Sequence, residues 1–253
     1  LTSNPGWNYY ESLAKEKFCE VFYYNVRKDD YTYYMDIEDL LKKAEKYHPK
    51  IIVITNPHNP TGCKIDGKTV EIIVKENPES LILLDEAYWG FSETNIDVRR
   101  LVETYSNIII SRTFSKYYGL ANMRVGYGFC NAKVKHIFGL DLPLFRENTI
   151  SRKMAVAAVH DKEYYERMNK ELNQVKTWFI ESLNQMEHVR AFQSDSNFVA
   201  VRIENTDMQK LREYLKERGI LIRLFTDKEE LVARIAVADR NIMEETIRVI
   251  KEY

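Results

Sequence analysis

The chain has 253 residues, of which 45% are hydrophobic, so it can bury a substantial core in one large domain or two smaller ones. Its 37 basic and 38 acidic residues leave a formal charge of −1, which argues against a nucleic-acid-binding surface. No apolar run approaches the roughly 20 residues that cross a bilayer. The three cysteines lack the spacing of a metal site or a disulfide framework. We therefore expect a cytoplasmic protein without a membrane partner.

Short apolar strands alternate with helical patterns in the first half of the chain. The two middle runs are apolar at successive positions, which is typical of strands covered on both faces. Between the runs lie helical patterns, and Asp36 is placed as the N-cap of one of them. The alternation predicts a parallel sheet with right-handed crossovers. The predicted strands are 19–26, 50–57, 80–88 and 107–114, and the predicted helices are 36–47 and 67–77.

The second half of the chain predicts a long helical region followed by a smaller α/β unit. Residues 146–186 have a helical pattern with a break near 161–163. After it, three apolar runs alternate with two helical patterns, which predicts a short antiparallel sheet. We place a large domain at 1–160, an interdomain helix at 161–186 and a small domain at 187–253. The strands predicted in the small domain are 196–203, 220–225 and 232–238, and its helices are 207–219 and 241–253.

Polar motifs follow three successive strands of the predicted parallel sheet. The segment 56–62 follows one strand, 85–88 ends the next, and 113–116 ends the third. In open sheets of this kind, ligands bind beyond the carboxyl ends of the strands. We therefore expect the three segments to meet at one crevice.

A lysine in such a crevice is a candidate for imine formation with an aldehyde. Burial and neighbouring cations lower the pKa of a lysine and expose the free amine as a nucleophile. Lys116 has Arg112 and Arg124 nearby in the sequence. Thr113 and Ser115, together with Arg124, supply the hydroxyl and guanidinium donors that hold a phosphate. A phosphate-bearing aldehyde would suit both the lysine amine and these phosphate-binding donors. A lysine without such neighbours is more often a solvated surface charge.

Asp85 and its neighbours suit a nitrogen heterocycle. A carboxylate at the end of a strand can pair with a protonated ring nitrogen, which makes the ring an electron acceptor. Tyr88 and Asn59 can both donate to a phenolate oxygen on the same ring. The alternatives are a helix-capping role for Asp85 and an ordinary tight turn at 59–62, since Asn, Pro and Gly favour turns.

Three motifs in this order, "NPHNPTG", "DEAYWGF" and "RTFSKYYGLANMRVGY", resemble the pyridoxal-phosphate aminotransferases of fold type I, class I/II. The wording around "RTFSK" is most similar to the histidinol-phosphate aminotransferase branch. The resemblance implies an α/β fold: a large domain with a mostly parallel sheet, here lacking its first strand, and a smaller C-terminal α/β domain. It also implies pyridoxal 5'-phosphate as cofactor, with Lys116 and Asp85 as catalytic residues. The implied cofactor-binding residues are Trp7, Asn59, Asp85, Tyr88, Thr113, Ser115, Lys116 and Arg124.

The resemblance also assigns Trp7 and three residues of the second domain. Trp7 in "SNPGW" matches the aromatic residue that stacks on the cofactor ring. Arg234 in "VARIAVA" matches the arginine that binds the substrate carboxylate as a bidentate pair. Asn197 is placed near that pocket, and Arg223 is predicted to reach a second anionic group, such as a phosphate or an acidic side chain.

The chain departs from the family pattern at two places. Asn122 stands where the family usually has glycine. We expect it to be tolerated because Asn is the non-glycine residue that best accepts positive φ. In addition, roughly a third of a family chain should precede "SNPGW". That part would include a first strand and a glycine-containing turn at a helix N-terminus, which supplies half of the phosphate site.

The expected reaction is transfer of an amino group between an amino acid and a 2-oxo acid or a phosphorylated carbonyl substrate. The same residues would serve a phosphothreonine decarboxylase or a carbon–sulfur lyase, since the outcome depends on which substrate bond is held perpendicular to the ring. A third alternative, from another class, is an inactive fragment or a cofactor-sensing module. Family habit implies a homodimer.

Overall fold

The computed structural model describes residues 1–137 and 148–253, and the strands in these ranges form three sheets. A central sheet of four strands lies in the first part of the chain beside a sheet of three, and the C-terminal part forms another sheet of four. The strands are β1 (Thr2–Asn4), β2 (Tyr23–Lys28), β3 (Tyr33–Met35), β4 (Ile51–Thr55), β5 (Leu81–Asp85), β6 (Ile108–Thr113), β7 (Gly126–Cys130), β8 (Val189–Ala191), β9 (Phe198–Ile203), β10 (Arg223–Asp227) and β11 (Glu230–Ala236).

Aspartates begin several of the helices between these strands. The carboxylate of Asp36, the predicted N-cap, accepts a hydrogen bond from the backbone N–H of Asp39 at 3.0 Å. A cap of this kind satisfies an N–H that has no partner within the helix. None of the helices in the described ranges combines the length and apolar character needed to cross a bilayer. The helices are α1 (Asn8–Glu16), α2 (Ile37–Tyr47), α3 (Gly67–Glu76), α4 (Val98–Thr104), α5 (Ala132–Ile137), α6 (Thr149–His160), α7 (Lys162–Asn184), α8 (Met208–Glu217) and α9 (Arg240–Glu252).

The central sheet has the order β4-β5-β6-β7, and its first three strands are parallel, as predicted. Ile52, Val53 and Ile54 are buried in succession, which explains their continuous apolar pattern. The fourth strand, β7, was not predicted and runs antiparallel to β6. The chain returns from β6 through a loop without a crossover helix, and such a connection joins antiparallel strands. Its two glycines also weaken the strand signal in the sequence.

The prediction that the run at 19–26 joins the parallel sheet was wrong. The strand there is β2, which starts at Tyr23 and belongs to a separate sheet of the order β1-β2-β3. At the edge of β4, the Val53 N–H donates instead to the carbonyl of Leu1 at 2.9 Å. The first residues of the chain therefore occupy the place that the prediction gave to β2.

The C-terminal part agrees with the predicted α/β unit. Its sheet has the order β10-β11-β9-β8 with every pairing antiparallel. The predicted helix break is present, because α6 ends at His160 and α7 begins at Lys162. Residues 146 and 147 of that prediction lie outside the described residues.

Two large hydrophobic cores are present in the described residues, and the domain boundaries 1–160, 161–186 and 187–253 stay a prediction. One core is built around the central sheet, and the buried residues of the other lie between Phe179 and Ile250. Phe192, Ala200 and Val232 from the C-terminal part pack into the first core. The two units therefore share a packed apolar boundary.

Candidate active site

A cavity of about 700 Å³ lies at the carboxyl ends of the central strands. Thr55 is opposite Asp85 in the register of β4 and β5, and Asp85 is opposite Ser111 in that of β5 and β6. This alignment brings the segments that follow the three strands to one edge of the sheet. Seven of the predicted site residues line the cavity, namely Trp7, Asn59, Asp85, Tyr88, Lys116, Arg223 and Arg234.

Asp85 is the last residue of β5, and 9% of its surface is exposed. Its Oδ1 accepts from the Ala87 N–H at 3.0 Å, and its Oδ2 accepts from the Tyr10 hydroxyl at 2.6 Å. Burial raises the pKa of this carboxyl group, while the hydrogen bonds from Tyr10, Ala87 and Ser111 oppose the shift. Within the described part of the chain no basic side chain pairs with Asp85. Its negative charge is therefore available to a cationic ligand in the cavity.

Lys116 follows β6 and reaches the same cavity, with its Nζ 5.9 Å from the centre of the Tyr88 ring. The pKa of its amine is lowered, chiefly because the amine is partly withdrawn from water and then because Arg234 and Arg124 are nearby positive charges. In the described ranges, 1–137 and 148–253, its Nζ makes no hydrogen bond or ion pair. The amine is thus free to react, although the side chain as a whole is solvent-exposed.

Arg234 on β11 connects the C-terminal unit to Asn59 and Tyr88 in the cavity. Its Nη1 donates to Asn59 Oδ1 at 3.0 Å and to the Tyr88 hydroxyl at 3.4 Å. The guanidinium carbon lies 4.7 Å from the centre of the Phe198 ring, which supports the planar group from one side. Burial raises the pKa of Tyr88, and Arg234 opposes that shift. The hydroxyl of Tyr88 therefore stays protonated at neutral pH and can donate a hydrogen bond.

Arg223 and Trp7 complete the wall of the cavity. Arg223 on β10 is directly opposite Arg234 on β11. Directly opposite residues in an antiparallel pair point to the same face, so both arginine side chains leave the sheet on the side of the cavity that they line. Trp7 precedes α1, stacks on Tyr9 at 4.9 Å and meets Tyr10 edge-on at 5.4 Å, and it remains 46% exposed. Its exposed ring is available to a planar ligand.

Four predicted site residues do not line the cavity. The Thr113 hydroxyl oxygen accepts from the Ser115 N–H at 3.0 Å, which makes a local turn immediately before Lys116. Arg124 is exposed and donates to the carbonyl of Ala121 at 2.9 Å. Asn197 lies beside β11, where its carbonyl accepts from the Val237 N–H. Their assigned roles stay predictions.

The reason we gave for tolerance at position 122 was wrong. Asn122 lies in a short 3-10 helix, Ala121–Met123, and is not among the residues with positive φ. The left-handed residue is Arg124, with a φ of 55°. The residue with positive φ therefore lies two positions after Asn122, the position where the family usually has glycine.

Two residues beside the cavity were missed by the sequence analysis. Tyr10 stands three residues after Trp7 at the start of α1, a spacing that puts both on one side of a helical turn. His58 is fully buried in the turn after β4. Its Nδ1 lies 2.7 Å from the Thr61 hydroxyl, and its Nε2 lies 2.9 Å from the Ser3 hydroxyl. The only sequence signal for His58 was its position between two Asn-Pro pairs.

Comparisons with known proteins agree with this geometry. The family profile for aminotransferase class I and II matches residues 1–250. A histidinol-phosphate aminotransferase from Methanosphaera stadtmanae is 29% identical over the whole of this chain and 68% of its own length. One from Caldanaerobacter subterraneus subsp. tengcongensis is 30% identical over the whole chain and 70% of its own length. The chain thus spans about two thirds of these relatives.

Solved structures show the same fold. A histidinol-phosphate aminotransferase from Sinorhizobium meliloti, in complex with pyridoxal-5'-phosphate, superposes with a TM-score of 0.86 at 22% identity, covering 99% of this chain and 70% of its own. An L-threonine-O-3-phosphate decarboxylase from Porphyromonas gingivalis reaches 0.84 at 20% identity, covering 99% and 75%. A pyridoxal-phosphate-bound C-S lyase from Staphylococcus hominis reaches 0.84 at 21%, covering 99% and 69%. The profile match over almost the whole sequence shows that the chain belongs to the aminotransferase class I and II family, whose enzymes depend on pyridoxal 5'-phosphate.

Proposed function

We propose that this chain belongs to an aminotransferase that exchanges an amino group between a phosphorylated amine of the histidinol-phosphate type and a 2-oxo acid. The supporting observation is the pair of guanidinium groups, Arg223 and Arg234, in the same cavity as the Lys116 amine. Such a pair suits a doubly charged anion, and the names of the relatives point to a phosphate ester.

The donor groups of the cavity fit the cofactor. When bound, pyridoxal phosphate supplies an aldehyde that captures amines and a protonated ring that withdraws electrons. Asp85 is a buried carboxylate without a basic partner among the described residues, as the ring nitrogen requires. Asn59 and Tyr88 would hold the ring oxygen, and Trp7 would cover the ring face. Thr113, Ser115 and Arg124 are proposed for the phosphate.

Lys116 is proposed to act twice. Its amine would hold the cofactor through the aldehyde, and with substrate bound the free amine would accept the proton from the substrate carbon that bears the nitrogen. Both tasks need an uncharged amine, and the lowered pKa increases the fraction of that form at neutral pH. Asp85 would hold the ring nitrogen of the cofactor in its protonated form.

The two arginines are proposed to orient the substrate. Each presents a planar fork of donors, which binds a phosphate or carboxylate in a defined direction. A substrate held by its anionic end in front of Lys116 places its amine toward the lysine. A 2-oxo acid would use the same groups through its carboxylates.

The alternatives on this scaffold are a phosphothreonine decarboxylase and a C-S lyase, and an inactive fragment or cofactor-sensing module is the alternative of another class. The decarboxylase and lyase neighbours are 20% and 21% identical, so they support the fold alone. A homodimer and a cytoplasmic location stay predictions.

The test is a product assay on the purified chain loaded with pyridoxal phosphate. We expect histidinol phosphate and 2-oxoglutarate to yield glutamate, whereas phosphothreonine should release no carbon dioxide and cystathionine no ammonia. Arg223→Ala should raise the KM for histidinol phosphate at least tenfold, because a charge-assisted contact is lost. Arg218→Ala is the matched control, since Arg218 lies outside the cavity and stacks on Tyr214.

Three outcomes would contradict the proposal. Release of carbon dioxide or ammonia without glutamate would assign the chain to the decarboxylases or lyases. Covalent attachment of the cofactor without turnover of any of the three substrates would favour a sensing or inactive role. An unchanged KM in Arg223→Ala would remove the arginine pair from the substrate site.

A further inference from the structure

We propose that Asp227 is a positioning residue for the substrate site. It fastens one end of the β10–β11 hairpin to Lys28 and Tyr33, and thereby sets where Arg223 and Arg234 stand at the other end. The inference rests on the proposed function in one respect, because it takes these two arginines as the anion-binding groups.

The contacts of Asp227 cross between the two parts of the chain. Its Oδ2 lies 2.6 Å from Lys28 Nζ and accepts from the Tyr33 hydroxyl at 2.9 Å. Lys28 ends β2 and Tyr33 begins β3, so both partners belong to the three-stranded sheet. Asp227 is 4% exposed and Tyr33 is 1% exposed. A buried carboxylate held by a cation and a hydroxyl is strongly fixed in direction, because moving it would leave charged and polar groups without partners.

A second carboxylate, on the other side of the turn, also contacts Lys28. Glu230 is opposite Asp227 in the hairpin register, and its carboxylate lies 3.3 Å from Lys28 Nζ. Arg202 on β9 pairs with Glu230 at 2.9 Å. The charged and titratable groups that contact Asp227 or Glu230 are thus Lys28, Tyr33 and Arg202, while Lys228 and Glu229 form the turn between them. The charges alternate in sign, so Lys28 is held between two carboxylates.

We call Asp227 together with its partners Lys28 and Tyr33 the clamp. The hairpin places Asp227 on the same face as the two arginines. Side chains alternate along a strand, so Arg223, Phe225 and Asp227 share a face of β10. Opposite them in register, Arg234, Val232 and Glu230 share the same face of β11. In the middle, Phe225 and Val232 pack into the first hydrophobic core, where Phe225 lies 6.5 Å from the Tyr33 ring. One end of this face is therefore anchored and the other end lines the cavity.

The position of β10 depends on this anchor because β10 is the edge strand of its sheet. Its backbone pairs with β11 alone, and side-chain contacts must hold its outer side. Arg223 lies four residues from Asp227, roughly 13 Å along the strand. A rotation of about 5° at the anchor would move the arginine end by on the order of 1 Å, and a displacement of that size can reduce catalysis about 100-fold.

The test measures anion binding and turnover separately in Asp227→Asn and Lys28→Met. The matched control is Glu229→Gln, which removes a negative charge from the same turn; in the described part of the chain Glu229 makes no hydrogen bond or ion pair. Calorimetry with inorganic phosphate and with 2-oxoglutarate gives the Kd of the arginine site. We expect both anions to bind about tenfold more weakly in the two clamp variants and unchanged in the control. The absorbance spectrum of bound pyridoxal phosphate should stay unchanged, and the Kd of the cofactor should stay within twofold of the wild-type value.

Enzyme kinetics provide the second readout. The clamp variants should raise the KM for the anionic substrate more than they lower kcat, whereas general loss of structure would lower the melting temperature and weaken cofactor and anion binding together. Unchanged anion binding in both Asp227→Asn and Lys28→Met would overturn the inference, as would wild-type protein that binds neither anion. If the anions bind and respond to the clamp but histidinol phosphate is not a substrate, the positioning role stands and the proposed function is wrong. If one variant does not fold, the other decides.

Discussion

The hydroxyl of Tyr10 donates a hydrogen bond of 2.6 Å to the Oδ2 atom of Asp85, the carboxylate at the base of the cavity. The two residues are 75 positions apart in the sequence and meet because α1 starts beside the end of β5. The bond opposes the effect of burial, which raises the pKa of Asp85. Tyr10 therefore helps to keep this carboxylate ionised, which its proposed role toward a protonated ring nitrogen requires.

Replacing Tyr10 with phenylalanine should weaken the enzyme on the acid side. Loss of the hydrogen bond raises the pKa of Asp85 further, so a smaller fraction is ionised at a given pH. Hydrogen bonds to charged groups are worth about 1.5–3 kcal/mol, so we expect kcat/KM at a pH on the acid limb to fall roughly tenfold or more. A pH profile of kcat/KM should show the acid limb displaced to higher pH.

The neighbouring tyrosine is the control for that variant. Tyr9 is 54% exposed, and within the described residues its hydroxyl makes no hydrogen bond. Tyr9→Phe should leave the acid limb in place. An identical displacement in both variants, or none in Tyr10→Phe, would show that the hydrogen bond does not govern the ionisation of Asp85.

Asp85→Asn should stabilise the cofactor-free protein at neutral pH while abolishing turnover. A carboxyl group whose pKa is raised by folding stabilises the native state fully only below its pKa in the unfolded chain, near 3.8. As the pH rises through the folded pKa, that stability is lost. The neutral amide avoids the loss, so urea unfolding at pH 7 should give a higher free energy of unfolding for the variant. At pH 3 the difference should be small.

The opposite sign is expected at an aspartate that caps a helix. Asp66 accepts from the Thr69 N–H at 2.8 Å, and this bond lowers its pKa. Its ionised form is therefore stabilising, and Asp66→Asn should lower the free energy of unfolding at pH 7. Activity should fall at least 100-fold in Asp85→Asn and stay near wild type in Asp66→Asn.

Covalent attachment at Lys116 should begin at lower pH than for an ordinary lysine, whose pKa is near 10.5. The lowered pKa makes the free amine available earlier as the pH rises. Borohydride trapping of the pyridoxyl group, followed by peptide mass mapping across a pH series, measures this directly. Arg234→Met removes one of the positive charges that lower the pKa, so its attachment curve should move to higher pH.

The label itself provides the control for this experiment. Lys116→Arg should carry no trapped pyridoxyl group, whereas Lys153→Ala, an exposed position on α6, should be labelled like the wild type. Stable labelling of Lys116→Arg at another lysine with the same pH dependence would refute the assignment of Lys116.

The parts of the fold that the sequence predicted have strong local signals. The continuous apolar runs of β4 and β5, and Asp36 at a helix start, are patterns set by neighbouring residues. The strands that were missed are short or glycine-rich, such as the three-residue β1 and the Gly126–Cys130 strand β7. Their existence depends on pairing with distant segments, which no local pattern records.

The residues of the site also fall into those that the sequence could place and those that it could not. Lys116, Asp85 and Asn59 could be placed because each follows a recognisable strand, and strand ends of a parallel sheet meet at one edge. The hydrogen bond from Tyr10 to Asp85, the contact of His58 with Ser3 and the ion pair of Lys28 with Asp227 join residues 75, 55 and 199 positions apart. Side chains so far apart carry no shared spacing, so their meeting depends on the packed structure.

His58 should make the protein sensitive to acid, because it is buried in its neutral form. Burial lowers the pKa of His58 from 6.5 to about 3. A group whose pKa is depressed by folding contributes stability that is present above its unfolded pKa and is lost as the pH falls toward the folded value. Between pH 6 and pH 4.5 this group should cost the native state about 2 kcal/mol. Urea unfolding at several pH values measures that slope.

The variants separate His58 from other titrating groups. His58→Gln cannot gain a proton, so its free energy of unfolding should be lower at pH 7, where the bonds to Thr61 and Ser3 are lost, yet fall by about 2 kcal/mol less than wild type between pH 6 and pH 4.5. His160→Gln, at the exposed end of α6, should keep the wild-type slope. Equal slopes in wild type and His58→Gln would mean that the imidazole between Ser3 and Thr61 is not buried in its neutral form.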